Sequence, residues 1–162
     1  MVAARYRDLM NPNPNMTWRF PSWFEQNADW IRERLAPHFD DIQTYQQWHD
    51  LGKPYCREID ADGKVHYPNH AEVSAEIWLA LGDKREIGDL IRDDMLCHTL
   101  RPAGATAFAS NPNALMLLVT ALCELHANAS MFGGISSDSF KAKFKRLEKS
   151  GNIIVSYLKD QS

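Results

Sequence analysis

The stretch His49-Asp50-Leu51-Gly52-Lys53-Pro54 constrains this chain more than any other. Ile42, Tyr45 and Trp48 repeat at helical spacing from about Asp40, which predicts a helix with those three turned inward. Gly52 and Pro54 end that helix just after an imidazole and a carboxylate at adjacent positions. Neutral imidazole and carboxylate are common ligands of divalent metal ions, so the helix end is a candidate metal site. Lys53 adds a cation beside it, where an anionic substrate can use it.

At 162 residues the chain is most simply one domain with a proper core. A formal net charge of −3 argues against a dedicated, strongly basic nucleic-acid-binding protein but leaves room for a local basic patch. Cys56, Cys97 and Cys123 have no CxxC spacing, which gives neither a disulfide framework nor a zinc knuckle and fits a reducing compartment. Cys97 and Cys123 fall in apolar helical runs and read as buried packing. The N-terminus lacks an apolar core of signal-peptide length, and the longest apolar run, Ala114 to Cys123, is too short to span a bilayer. The expectation is a soluble, cytoplasmic protein with no membrane partner.

In chain order, residues 1–21 contain Asn11-Pro12-Asn13-Pro14-Asn15 and read as an irregular arm, tacked to the core by Trp18, Phe20 and Trp23. Ser22 to Glu25 reads as a capping box opening a helix that runs to Pro37. After the His49 to Pro54 stretch, Asp60-Ala61-Asp62-Gly63-Lys64 is a turn that can join two short extended segments in a hairpin. Helices are then predicted from Asn69 or His70 to Leu81, with Val73, Ile77 and Leu81 on one stripe and Gly82-Asp83-Lys84 closing it. Another runs from Arg85 to Leu100, with Ile87, Leu90, Ile91, Met95 and Leu96 apolar. Residues 102–113 read as a linker, and Asn113 to Ala129 as a strongly apolar helix. Gly133-Gly134 is a break, and a last helix runs from Ser137 or Ser139 to about Lys149. The fold class is mostly α: a compact single-domain helical bundle, residues 22–162, with a small hairpin insertion.

Candidate metal ligands fall on four segments: His49 with Asp50, His70, Asp94 with His98 one turn later, and Glu124 with His126. Glu124, flanked by Leu122, Cys123 and Leu125, is costly to bury without a cation or a proton. Plainer readings stand beside each. His49-Asp50 can be a helix end with a local hydrogen bond, and His70 a first-turn residue paired with Ser74. Asp94 can pair with Arg92 or Lys84, His98 with a carbonyl at its helix end, and His126 can be a satisfied core histidine. Asp93 and His66 read as solvent-facing.

The string HDLGKP resembles the signature of the HD superfamily of metal-dependent phosphohydrolases. His49 to Ala75 is similar to the HD domains of tRNA nucleotidyltransferases, where a Gly-containing turn, a histidine and a small residue follow the motif. Leu90 to Met95 resembles the next family segment, with Asp94 in place of a histidine, and Leu118 to Ala129 the last, with Cys123-Glu124 in place of Ala-Asp. The resemblance covers about residues 22–130. It implies an HD-type fold and a divalent metal (Mn, Mg, Co, Ni, Zn or Fe) held by His49, Asp50 and Glu124. A second ion would be shared through Asp50 with His70 and Asp94. The family's upstream histidine is absent; Glu25, Gln26 and Asn27 occupy that region.

What the resemblance implies chemically is hydrolysis of a phosphomonoester or phosphodiester of a nucleotide or RNA end, including 2′,3′-cyclic phosphates. Asp50, Lys53, His70 and His98 are the catalytic candidates, with Lys53 on the phosphate and a histidine delivering a proton. An inactive HD-like nucleotide- or RNA-binding module and a di-iron oxygenase are the alternatives. Ser139 to Lys149 is a basic helix whose Lys141, Lys145 and Lys149 align at i,i+4 with Arg146 beside them. That row reads either as a solvated face or as a contact for phosphates.

Overall fold

The computed structural model describes residues 2–12, 15, 17–82 and 84–162. Asn13 and Pro14 of the expected arm, and Asp83 of the expected helix closure, lie outside them. The protein is mostly α, and its Cα packing resolves into two compact units: residues 1–39 with 97–162, and residues 40–96. Among the described residues, no helix is long and apolar enough to cross a membrane.

In the first unit, α1 (Val2–Met10) forms inside the stretch expected to be irregular. Its Ala3, Tyr6 and Leu9 are buried on one stripe, and it packs on α9 (Ala114–Ala127). The expected helix from Ser22 is two, α2 (Ser22–Glu25) and α3 (Ala28–Leu35), broken at Asn27, whose side-chain amide donates to the Trp23 carbonyl at 2.8 Å. The capping box does not form. Pro21 is the N-cap, and the Ser22 amide donates to Glu148 Oε2 at 2.9 Å, a carboxylate from a distant helix taking the role expected of Glu25. Trp18 stacks on Phe20 and His126, which fixes the arm as expected.

The expected linker contains α8 (Ala105–Ala109), whose Ala105, Phe108 and Ala109 are buried. The last helix, α10 (Asp138–Asp160), runs 23 residues, well past Lys149. Ser137 caps it, accepting from the Phe140 amide at 3.1 Å. Gly151 does not break it. A Cβ there would lie 2.3 Å from Trp23 Nε1, so this glycine lets α10 close on the buried Trp23. Cys97 and Cys123 are buried and form no disulfide, as expected.

In the second unit, α4 (Phe39–Trp48) delivers His49 and Asp50 immediately after its last turn. Ile42 and Tyr45 are fully buried, but Trp48 is 42% exposed, lying beside Trp78 rather than inward. The hairpin is present: β1 (Glu58–Ile59) pairs antiparallel with β2 (Val65–His66). The helix α5 (His70–Ala80) buries Ala71, Ser74, Ala75 and Trp78. The expected stripe of Val73, Ile77 and Leu81 is instead its outer flank, Leu81 being 68% exposed. Against α5 packs α6 (Arg85–Asp93), where Gly88 leaves room for Leu79. The predicted helix to Leu100 breaks at Asp94, before α7 (Met95–Thr99).

Candidate metal centre

The second unit gathers His49, Asp50, Lys53, His70 and Asp94 from three segments. The backbone carbonyls of Gln46 and Tyr67 orient the two histidines. A carbonyl oxygen only accepts, so the His49 Nδ1–H donates to Gln46 O at 2.9 Å, and the His70 Nδ1–H to Tyr67 O at 2.9 Å. In the neutral imidazole this leaves each Nε2 as the lone-pair nitrogen, the tautomer a metal ligand needs. Both Nε2 atoms face one carboxylate: His49 Nε2 is 3.6 Å from Asp50 Oδ2, and His70 Nε2 is 3.7 Å from Asp50 Oδ1. These separations are too long for good hydrogen bonds and comparable with the spacing of neighbouring ligands around a small cation whose bonds are about 2.1 Å.

Asp94 stands beside His49. It is only 4% exposed, at the break between α6 and α7, and a ligand atom of His49 lies within 4.8 Å of one of its own. Arg92 engages Glu72 and Asp89, Lys84 engages Asp41, and the buried Tyr45 hydroxyl donates to Asp94 Oδ1. Lys53 Nζ lies 2.6 Å from Asp50 Oδ2 and sits over the Tyr67 ring. An imidazole and a carboxylate are ligands that borderline divalent ions take, and His49 and Asp94 offer one such atom each within 4.8 Å of one another, so these residues fit the metal the sequence implies.

Gly52 and Ser74 hold the two histidine segments together. The Gly52 amide donates to Ser74 Oγ at 2.8 Å, and that hydroxyl donates to the His70 carbonyl at 2.7 Å. A Cβ at Gly52 would come within 2.6 Å of the Ser74 amide nitrogen. The glycine of HDLGKP is therefore required by close backbone approach, its φ of −78° being open to any residue. His70 and Ser74 are linked, as expected, but through the His70 backbone, which leaves its ring for Asp50.

In the first unit, Glu124 is buried on α9 and paired with His98, whose Nε2 lies 2.5 Å from Glu124 Oε2. Glu124 also offers a metal-type ligand atom. The pair gives the carboxylate the compensation the sequence demanded. His126 is a satisfied core histidine: its Nε2–H donates to the Arg19 carbonyl at 2.9 Å, and burial lowers its pKa. In the region of the absent upstream histidine, the Asn27 side chain is bonded to Trp23 and accepts from Lys159 Nζ at 2.7 Å. Lys141, Lys145 and Arg146 are exposed on α10, Lys141 lying 3.9 Å from Asp138.

Tyr45 and Gln46 were missed as site residues by the sequence reading. Both fall one turn before the His-Asp pair, and that i,i+4 relation of Tyr45 to His49 was the signal available. Comparison of the chain with family models, curated proteins and solved structures finds no match.

Proposed function

We propose that the second unit holds divalent metal, one or two ions, through His49, Asp50, His70 and Asp94, and that the protein is an HD-type phosphohydrolase of nucleotide or RNA phosphoesters. The observation that carries this reading is the pair of histidines with Nδ1 committed to carbonyls and Nε2 turned on one carboxylate. The HDLGKP resemblance supplies the reaction class. On the strength of sequence alone, it also adds Glu124 as a ligand and His98 as a proton donor.

When bound, such an ion lowers the pKa of a coordinated water and polarises a phosphoryl oxygen. Asp50 would present one oxygen to each histidine's side, so its two oxygens orient the ligand set. Lys53, tethered to Asp50 Oδ2 and half-exposed, is placed to exchange that contact for a phosphate oxygen. Tyr45 helps fix the orientation of Asp94 by donating to its Oδ1.

The test is elemental analysis of protein purified without chelator or affinity metal, wild type beside Asp50→Ala, followed by a screen of p-nitrophenyl phosphates and 2′,3′-cyclic nucleotides. One or two equivalents of metal, lost in the variant, with metal-dependent hydrolysis in the wild type, is the expected result. Absence of both metal uptake and turnover across Mn, Mg, Co, Ni, Zn and Fe sinks the reading. Iron with oxygen consumption in place of hydrolysis redirects it to the oxygenase.

One observation favours a second reading, a binding module without turnover. Where the family brings another histidine, this chain has Asn27, whose amide is engaged inside its own unit. Nucleotide or RNA binding that survives both EDTA and Asp50→Ala would select it.

A further inference from the structure

The first unit contains a cavity of about 100 Å³ whose lining, apart from His98 and Glu124, takes no part in the proposed chemistry. Its walls are Leu118, Leu125, Leu147 and the Phe132 ring, an apolar lining drawn from α9, the turn after it and α10. Ser150 also lines it. That residue is 2% exposed, and its hydroxyl has no hydrogen-bond partner among the described residues. Lys143 and Arg146 line the same cavity and are exposed, so they stand at its mouth. Lys143 Nζ lies 5.0 Å over the Phe132 ring, which holds the ammonium there.

The remaining ionisable groups in the lining, His98 and Glu124, are paired with each other at 2.5 Å. The two cations at the mouth therefore set the electrostatic preference. Size sets the rest: about 100 Å³ is less than the roughly 150 Å³ of a cavity that takes a benzene ring, so the space admits at most a single ring or a short branched chain and excludes a fused bicycle.

We infer that this cavity is a binding site for a small amphipathic anion, a single-ring or comparably small apolar body that carries one phosphate or carboxylate. The body occupies the space between Leu118, Leu125 and Leu147, and the anion rests on Arg146 and Lys143. The site is built from residues of one unit and does not depend on a metal.

The test is calorimetric titration of the full chain in EDTA with phenyl phosphate, benzoate, benzyl alcohol and 1-naphthyl phosphate. Phenyl phosphate and benzoate bind, while benzyl alcohol and 1-naphthyl phosphate bind at least about tenfold more weakly. Lys143→Gln with Arg146→Gln, both on exposed positions, weakens phenyl phosphate by about tenfold or more and leaves the melting temperature unchanged. Ala121→Leu, which fills the cavity, abolishes binding; Asp50→Asn leaves it intact. Failure of both anions to bind, indifference to the double charge variant, or equal affinity for the naphthyl compound would each overturn the inference.

Discussion

The backbone amide of Gly52 donates to the hydroxyl of Ser74 at 2.8 Å, and this contact joins the loop that follows His49 and Asp50 to the first turn of the helix that opens with His70. Both halves of the proposed metal site are set by it. Replacing Gly52 by alanine drives a Cβ to 2.6 Å from one backbone nitrogen and 2.7 Å from the His70 carbonyl oxygen, neither of which is a flexible side-chain end. Gly52→Ala should cost about 1–3 kcal/mol of stability, the usual range for overpacking, and weaken metal uptake by separating His70 from Asp50. Chemical denaturation with metal titration checks it; an unchanged midpoint and unchanged affinity would remove Gly52 from its role.

Lys53 and Asp50 form an ion pair whose side chains are 36% and 40% exposed, so water screens it. Lys53→Gln should therefore shift stability by less than about 1 kcal/mol. Its effect belongs in substrate handling: KM for a phosphoester rises by about tenfold while metal content stays the same. A variant that loses metal instead would make Lys53 a structural clamp on Asp50.

Tyr45 is fully buried and its hydroxyl donates to the buried Asp94. Tyr45→Phe removes a donor from an enclosed carboxylate and should cost about 1–3 kcal/mol in metal-free protein. Added divalent metal should recover part of that loss, because a cation meets the same need. Thermal melts with and without metal separate the two states, and equal losses in both would exclude Asp94 from the metal.

His126 gives the fold an acid-sensitive point. Burial lowers its pKa, and its Nε2–H is already committed to the Arg19 carbonyl. The unfolded chain, with an ordinary histidine near 6.5, then binds more protons than the folded one, so stability rises with pH in that window. The contribution is complete above about pH 6.5 and declines as pH falls through the lowered folded value. His126→Gln should flatten this slope between about pH 6.5 and 5, measured by denaturation at a series of pH values; an unchanged slope would assign the acid sensitivity elsewhere.

Gly151 faces Trp23 so closely that an added Cβ would sit 2.3 Å from Nε1 and 2.5 Å from Cδ1. Helix propensity alone predicts that Gly151→Ala stabilises α10 by about 1 kcal/mol. The contact predicts the opposite sign, a loss of about 1–3 kcal/mol as the indole is displaced. A single thermal melt decides between them.

The amino-acid sequence by itself determined the helical class, the hairpin between Glu58 and His66, the apolar helix from Ala114, the breaks at Gly133 and Gly134, and the placing of His49 and Asp50 at a helix end. These follow from local rules of periodicity and backbone stereochemistry, which a single segment carries. Tertiary structure decided what depends on a distant partner. Glu148, not Glu25, receives the Ser22 amide. Trp23, packed where a Cβ would stand, makes glycine the residue that fits at position 151 of α10. Packing against α6 selects Ala71, Ser74, Ala75 and Trp78 as the buried stripe of α5 and turns Leu81 outward. Only folding brings Tyr45 to Asp94 and both histidine Nε2 atoms to Asp50. Hydrogen bonds and close packing act over a few ångströms in space, and no rule of spacing along the chain encodes which two segments meet.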